Sequence, residues 1–311
     1  MMGDSGMFGW NAPDDASTIS AQLERMLDAR FGAQAKIEVL NLGVPSGVST
    51  FHVPTFATYG QELDPDLLVM FLGLNDLGGS NVVAPHSFST RLKRYLSLYT
   101  TGSQVRHLLS ENARVLHLLA LHLRSYKWLT GLIAPAQKEW VGDKISLSET
   151  LIRDHETFRD VYLNNLERIY RLANKLRIPF MTFEQPSVSL GLSLAGNPSA
   201  IDVARREEIR RTDPFSWVVG AEKYASVVSR GDALARKYGG RHFGFEDVLR
   251  AYGGPIQQGL YVDVPKGALF VTAAHYTAKG GQVLATEMTE RLVPVVSGIL
   301  TKAAETGGTA R

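Results

Sequence analysis

Residues 67–72 are Leu-Leu-Val-Met-Phe-Leu, and Gly73-Leu74-Asn75-Asp76 follows them directly. A run that is apolar at every position is typical of a strand covered on both faces in a parallel sheet. Residues 178–183 form a second apolar run, and residues 36–42 predict a strand with apolar side chains at Ile37, Val39, Leu40 and Leu42. Residues 241–245 predict a further short strand. We therefore expect a mainly parallel sheet at the centre of the fold.

Helical patterns lie between these strands. Apolar residues at helical spacing predict a helix over residues 17–31 with Ser17 as its N-cap, and further helices over 51–63, 146–177, 201–212, 221–238 and 277–301, the last capped by Thr277. Alternating strands and helices predict a three-layer α/β/α domain, and we expect a single domain over residues 1–311.

A Leu-rich helical insertion is expected over residues 87–145, after the third strand, and a loose Gly-rich tail over residues 305–311. We favour a helical cover over the sheet for the insertion. The alternative is a membrane-surface or substrate lid, because Tyr126, Trp128 and Leu129 follow basic residues as in interfacial helices.

The composition excludes several classes of protein. The 311 residues are 44% hydrophobic and 21% charged, which excludes disordered, collagen-like and coiled-coil chains. Lys and Arg number 33 against 31 Asp and Glu, so no charge imbalance indicates a nucleic-acid partner. The chain has no Cys, which excludes disulfides, thiolate zinc sites and cysteine nucleophiles. We expect neither a metal nor a cofactor.

The sequence leaves localisation and oligomeric state open. No stretch reaches the ~18 uninterrupted apolar residues of a membrane span, so we expect no transmembrane segment in this chain. The N-terminus lacks the basic start and apolar run of a signal peptide.

Four short motifs lie at the ends of predicted strands and helices, where α/β proteins often carry their catalytic residues. In open parallel sheets, ligand-binding and catalytic residues lie beyond the carboxyl ends of the strands. A serine hydroxyl becomes a good nucleophile when an imidazole takes its proton, and the oxyanion that forms needs N–H donors in place. The motifs are Gly3-Asp4-Ser5, Asn41-Leu42-Gly43, Gly73-Leu74-Asn75-Asp76 and His275-Tyr276-Thr277. Together they indicate acyl transfer.

In order, spacing and context these motifs resemble the SGNH, or GDSL, hydrolase family of serine esterases and lipases. The resemblance spans nearly the whole chain, because its four marker residues match Ser5, Gly43, Asn75 and His275. It implies a flavodoxin-like α/β/α fold with Ser5 as the nucleophile and His275 as the general base and then acid.

The resemblance also implies supporting roles around the nucleophile. The oxyanion hole would consist of the Ser5 and Gly43 N–H groups and the Asn75 amide. Asp4 and Asp76 would support the loops that carry these donors.

Two features depart from the family pattern. The family places an Asp three residues before the His, where this chain has Thr272, whose hydroxyl accepts a hydrogen bond but supplies no negative charge. Asp247 and Asp263 are candidate replacements.

The second departure concerns the first strand, which in the family ends just before the serine motif. Here only Met1 and Met2 precede Gly3, so the sequence predicts that this strand is missing and that the natural chain begins further upstream. An upstream segment could carry a signal or an anchor.

The leading functional hypothesis is a serine hydrolase that cleaves carboxylic esters, with acyl groups on carbohydrate or small alcohols as the substrate class. One alternative is an O-acyltransferase that uses the same acyl-serine. The other is a catalytically impaired protein of this fold that binds glycans or partners. Thr272 and the missing strand favour impairment, whereas the joint presence of Ser5, Asn75 and His275 favours an enzyme.

Overall fold

The computed structural model describes residues 1–10, 12–45, 47–77, 144–212, 217–261 and 275–305. The chain divides into two compact units, one formed by Met1–Val82 with His155–Arg311 and the other by Val83–Asp154. The sheet belongs to the first unit. The predicted insertion, up to residue 143, and the tail beyond residue 305 lie outside the described residues.

A five-stranded sheet forms the centre of the first unit, and all of its strand pairs are parallel. The strand order is β2-β1-β3-β4-β5. The strands are β1 Met2–Gly3, β2 Leu42–Gly43, β3 Leu68–Leu72, β4 Phe180–Glu184 and β5 Arg241–Phe243. The parallel α/β sheet predicted from the apolar runs is confirmed.

The first strand is present, which corrects the expectation that it is missing. Met2 lies opposite Leu42 on one side and Met70 on the other, so two residues complete the ladder between β2 and β3. The N–H of Val44 donates to the carbonyl of Gly3 at 2.9 Å and extends this pairing. The strand β2 pairs with β1 over two residues, so residues 36–41, which were predicted as part of this strand, lie outside the ladder.

Helices connect the strands, and each helix predicted within the described residues is found with its ends shifted by a few residues. The structure also contains four short helices that the sequence did not predict. In chain order, the α-helices of the described residues are α1 Ser5–Phe8, α2 Ile19–Phe31, α3 Ser49–Glu62, α4 Leu74–Leu77, α5 Lys144–Leu176, α6 Val188–Leu194, α7 Ala200–Thr212, α8 Tyr224–Arg236, α9 Glu246–Tyr252 and α10 Ala278–Glu305. In the part of the chain that the structure describes, no helix combines the length and apolar character needed to cross a membrane.

The helix caps show one error and one success of the sequence prediction. The cap of α2 is Thr18, whose hydroxyl accepts the N–H of Ala21 at 3.3 Å. The predicted cap, Ser17, instead ends a short 3₁₀ turn that precedes the helix. Thr277 does cap α10, because its hydroxyl accepts the N–H of Gly280 at 3.1 Å.

Both faces of the sheet are covered, as a three-layer fold requires. Side chains alternate along a strand, so Val69 and Phe71 point to the opposite face from Met70. Val69 and Phe71 share one hydrophobic core with buried residues of α2 and α10. On the other face Tyr170 of α5 stacks on Phe180 of β4, with ring centroids 4.6 Å apart.

Residues 184–187, here called the β4 exit, are fixed by three buried tyrosines from later parts of the chain. Each hydroxyl donates to one backbone carbonyl of this segment. The bonds run from Tyr224 to Glu184 at 2.6 Å, from Tyr276 to Pro186 at 2.6 Å and from Tyr261 to Ser187 at 3.0 Å. Burial raises the pKa of each tyrosine above its usual range, so all three remain protonated donors.

Candidate active site

Ser5 begins α1 directly after the central strand. Asp4 is the N-cap of this helix, and its Oδ1 accepts the N–H of Gly6 at 2.8 Å. Asp4 is buried, and desolvation raises its pKa to about 7 although the Gly6 bond acts in the opposite direction. The sharp change from strand to capped helix places the Ser5 hydroxyl at the carboxyl edge of the sheet.

The structure brings His275 to Ser5 although 270 positions separate the two residues. The Nε2 atom of His275 lies 3.1 Å from the Ser5 Oγ. Burial lowers the pKa of His275 to about 4, so the imidazole is neutral at neutral pH. A neutral imidazole within hydrogen-bond reach of a hydroxyl can accept its proton.

The neighbours of His275 hold it in place. The Trp10 ring lies beside the imidazole, with centroids 6.4 Å apart and the planes tilted by 31°. The N–H of Thr277 donates to the carbonyl of Leu260 at 3.1 Å, and Tyr276 is tied to the β4 exit. The histidine is therefore anchored by the residues that follow it.

Gly43, at the end of β2, packs directly on the backbone of α1. A Cβ at this position would lie 2.4 Å from the N atom of Phe8, so only glycine fits. The Gly43 N–H donates to the Asn41 Oδ1 at 2.9 Å. The Asn41 amide in turn donates to the Met7 carbonyl at 3.0 Å and to the Ser20 hydroxyl at 2.9 Å. Asn41 thus joins β2 to α1 and α2.

Asn75 lies on α4, directly beyond β3. Its Nδ2 donates to the carbonyl of Gly47 at 3.0 Å. The bond orients the amide against the turn that precedes α3.

Asp76, the next residue, clamps the start of α3. Both of its carboxylate oxygens lie 3.0 Å from the Ser49 N, and Oδ1 also accepts the Ser49 hydroxyl at 2.5 Å. Burial raises the pKa of Asp76 to about 7, although the bonds from Ser49 act in the opposite direction. Asn165 of α5 donates to the same Ser49 hydroxyl at 3.0 Å, so three elements meet at this point.

Thr272, Asp247 and Asp263 were the sequence candidates beside His275. Thr272 and Asp263 lie outside the described residues, and Asp247 is exposed on α9. Among the residues that the structure describes, no group of three or more His, Asp or Glu side chains is arranged to hold a metal ion.

Sequence reasoning missed Glu184, the last residue of β4. It is fully buried, and its carboxylate accepts the Tyr162 hydroxyl at 2.8 Å and lies 3.1 Å from the Nε2 of His242. The available signal was an acidic residue directly after the apolar run 178–183. Acidic residues are almost never fully buried without a partner, so an acid at the end of a buried strand indicates a polar contact inside the fold.

A cleft of about 430 Å³ opens beside α1. Its lining includes Phe8, Asp14, Asp15 and Gly43. Phe8 is 43% exposed, so an aromatic face and two carboxylates border the cleft next to the helix that carries Ser5.

No protein-family model matches the sequence, and a search of curated proteins finds no match either. Solved structures similar to the chain include an α/β hydrolase enzyme from the metagenome of Lake Arreo, Spain, at 13% identity and a TM-score of 0.44, covering 91% of this chain and 89% of that one. They also include a catalytic mutant of an acetylxylan esterase from Geobacillus stearothermophilus, at 10% identity and a TM-score of 0.48, covering 93% and 90%.

Proposed function

We propose that this protein is a serine hydrolase that cleaves carboxylic esters through an acyl-serine intermediate. The observation that supports this proposal is the 3.1 Å contact between the Ser5 Oγ and the Nε2 of His275. The low pKa of His275, which burial sets, keeps the imidazole in the form that accepts a proton.

In this mechanism His275 takes the Ser5 proton while the Oγ attacks the ester carbonyl carbon. The negative charge of the tetrahedral intermediate is stabilised by the Ser5 N–H, the Gly43 N–H and the Asn75 amide. The Gly43 N–H exchanges its bond to Asn41 for the oxyanion. His275 then gives its proton to the leaving alcohol, and water activated by the same imidazole releases the acid.

The cleft beside α1 is our proposed place for the alcohol part of the ester. Carboxylates accept hydrogen bonds from hydroxyl groups, and an aromatic face packs on the apolar side of a ring. Asp14, Asp15 and Phe8 offer both kinds of contact, which supports a carbohydrate or a small polyhydroxylated alcohol.

A fluorophosphonate probe tests the proposal, because it labels activated serines. We expect one labelled site, at Ser5, which disappears in Ser5→Ala. Ser189→Ala is the matched control, since Ser189 is a fully buried serine on α6 and its replacement should leave labelling intact. Intact, folded protein that carries no label at Ser5 would contradict the proposal.

The acyl-serine also serves an O-acyltransferase, which differs only in the acceptor of the acyl group. Incubation with an acetyl ester and a sugar, followed by mass spectrometry of the products, separates the two. Free acetate indicates a hydrolase, and an acetylated sugar indicates a transferase.

The fall of kcat/KM at low pH should reflect the protonation of His275. Because burial lowers the pKa of this imidazole from 6.5 to about 4, kcat/KM is expected to stay high as pH falls and to decline around pH 4, where the base becomes protonated. The measurement is kcat/KM for a non-ionising ester, with tryptophan fluorescence as the check of folding at each pH. A midpoint near 6.5 with the protein folded would contradict the buried, neutral base.

A further inference from the structure

Glu184 is held rigidly from two sides. Its Oε2 accepts the Tyr162 hydroxyl of α5 at 2.8 Å and lies 3.1 Å from the Nε2 of His242 on β5. The other ring nitrogen of His242 lies 3.2 Å from the Tyr170 hydroxyl, so the imidazole is itself fixed. All four side chains are buried, which leaves the carboxylate little freedom to move.

The second carboxylate oxygen of Glu184 lies against Gly73. This Oε1 has no hydrogen-bond partner among the described residues. A Cβ placed on Gly73 would lie 1.8 Å from it. The contact is explained by the sheet register, in which Glu184 is the partner of Leu72, the residue before Gly73. Gly73 also has a φ of 119°, which favours glycine independently of the contact.

Gly73 is the first residue of the segment 73–76, here called the oxyanion loop. This loop carries Asn75, whose amide bonds to Gly47, and Asp76, which clamps Ser49. The N–H of Leu77 donates to the Gly73 carbonyl at 2.9 Å, so the short helix α4 is built directly on Gly73. A displacement of Gly73 would therefore be transmitted to the Asn75 amide.

We infer that Glu184 is a positioning residue for the oxyanion loop. Its fixed carboxylate sets the place of Gly73 and thereby the direction in which Asn75 presents its amide. Glu184 is fully buried and acts only through the loop. The catalytic consequence of this inference rests on the proposed esterase function, whereas the effect on the loop is independent of it.

Two substitutions separate the reach of the side chain from the kind of group it carries. Glu184→Asp keeps the carboxyl group but withdraws it from Gly73 by one methylene. We expect kcat to fall about tenfold with KM unchanged, because small misplacements of catalytic groups are costly. Hydrogen exchange of the amides of residues 73–77 should become faster. Glu184→Gln keeps the length, so loop exchange and kcat should stay close to those of the wild type.

Asp202→Asn is the matched control. Asp202 is a fully buried carboxylate on α7 that accepts the Ser199 hydroxyl at 2.5 Å and the Ile256 N–H at 2.9 Å. This change should lower thermal stability without altering kcat or the exchange of the oxyanion loop. It therefore shows what the loss of a buried carboxylate does away from the loop.

The inference is overturned if Glu184→Asp leaves the exchange of residues 73–77 unchanged, or if Glu184→Gln alters that exchange as much as Glu184→Asp does. Failure of the proposed function is recognised separately, by the absence of the fluorophosphonate label at Ser5 in the wild type. In that case the exchange measurement still decides whether Glu184 positions the loop.

Discussion

Replacement of Ser5 by Ala is expected to lower kcat for ester hydrolysis by a factor on the order of 10⁴ or more, because the change removes the proposed nucleophile. His275→Gln should cause a loss of similar size, since the glutamine amide is not a base. The measurement is steady-state turnover of a chromogenic acetyl ester by each purified variant, with thermal unfolding as the check of the fold.

Combining Ser5→Ala with His275→Gln in one protein tests whether the two residues act in the same step. In the proposed mechanism Ser5 and His275 share one proton transfer across a contact of 3.1 Å, so removing both should cost no more than removing the more damaging one alone. Losses that multiply would show that the two residues act in separate steps, and the mechanism proposed for this site would be wrong.

Asn75→Ala should lower kcat by a factor of about 10² to 10³ with little change in KM, as is typical for the loss of one oxyanion donor. The reason is that the amide contributes to the transition state more than to the bound ester. Turnover and KM are measured with the same chromogenic ester.

Asn174→Ala is the control for this prediction. Asn174 is exposed near the end of α5, before the start of β4, and thus at the edge of the sheet opposite the site. It undergoes the same chemical change and should leave kcat unaltered. An equal loss in both variants, or a rise in KM alone for Asn75→Ala, would exclude Asn75 as an oxyanion donor.

The sheet was predictable where its strands are buried on both faces. Residues 67–72 and 178–183 are apolar because helices cover both sides of β3 and β4, and that pattern is visible without a structure. Residues 36–42 are apolar only at Ile37, Val39, Leu40 and Leu42, and of these seven residues only Leu42 lies in the pairing with Met2–Gly3. The apolar pattern alone therefore does not give the extent of β2.

The short helices, too, could not be predicted from the sequence pattern. Residues 188–194 of α6 are Val-Ser-Leu-Gly-Leu-Ser-Leu, an alternation of apolar and small residues that resembles a strand as much as a helix. The Ser187 hydroxyl accepts the N–H of Leu190 and begins a helix there, and tertiary packing buries the first residues of that helix. Local pattern alone does not distinguish the two outcomes.

At the site, the motif residues were visible because several short signals occur in a fixed order. The role of Glu184 could not be predicted from the sequence, because its partners Tyr162 and His242 are 22 and 58 positions away and no spacing rule connects them. The bond from Gly43 to Asn41 was equally hidden, although Asn41 stood in the motif. The role of Gly43 as a donor to the oxyanion stays a prediction, as does that of Thr272.

The three tyrosine bonds to the β4 exit have a consequence for how the protein loses activity. Tyr276 follows His275 and holds Pro186, while Tyr224 holds the carbonyl of Glu184 itself. His275, the proposed general base, and Glu184, the proposed support of the oxyanion loop, are thus both held through the β4 exit. Heat or denaturant that breaks the tyrosine bonds to the β4 exit should displace His275 and Glu184 together. Inactivation should therefore be all-or-none in each molecule. A partly unfolded population would then consist of fully active and fully inactive copies.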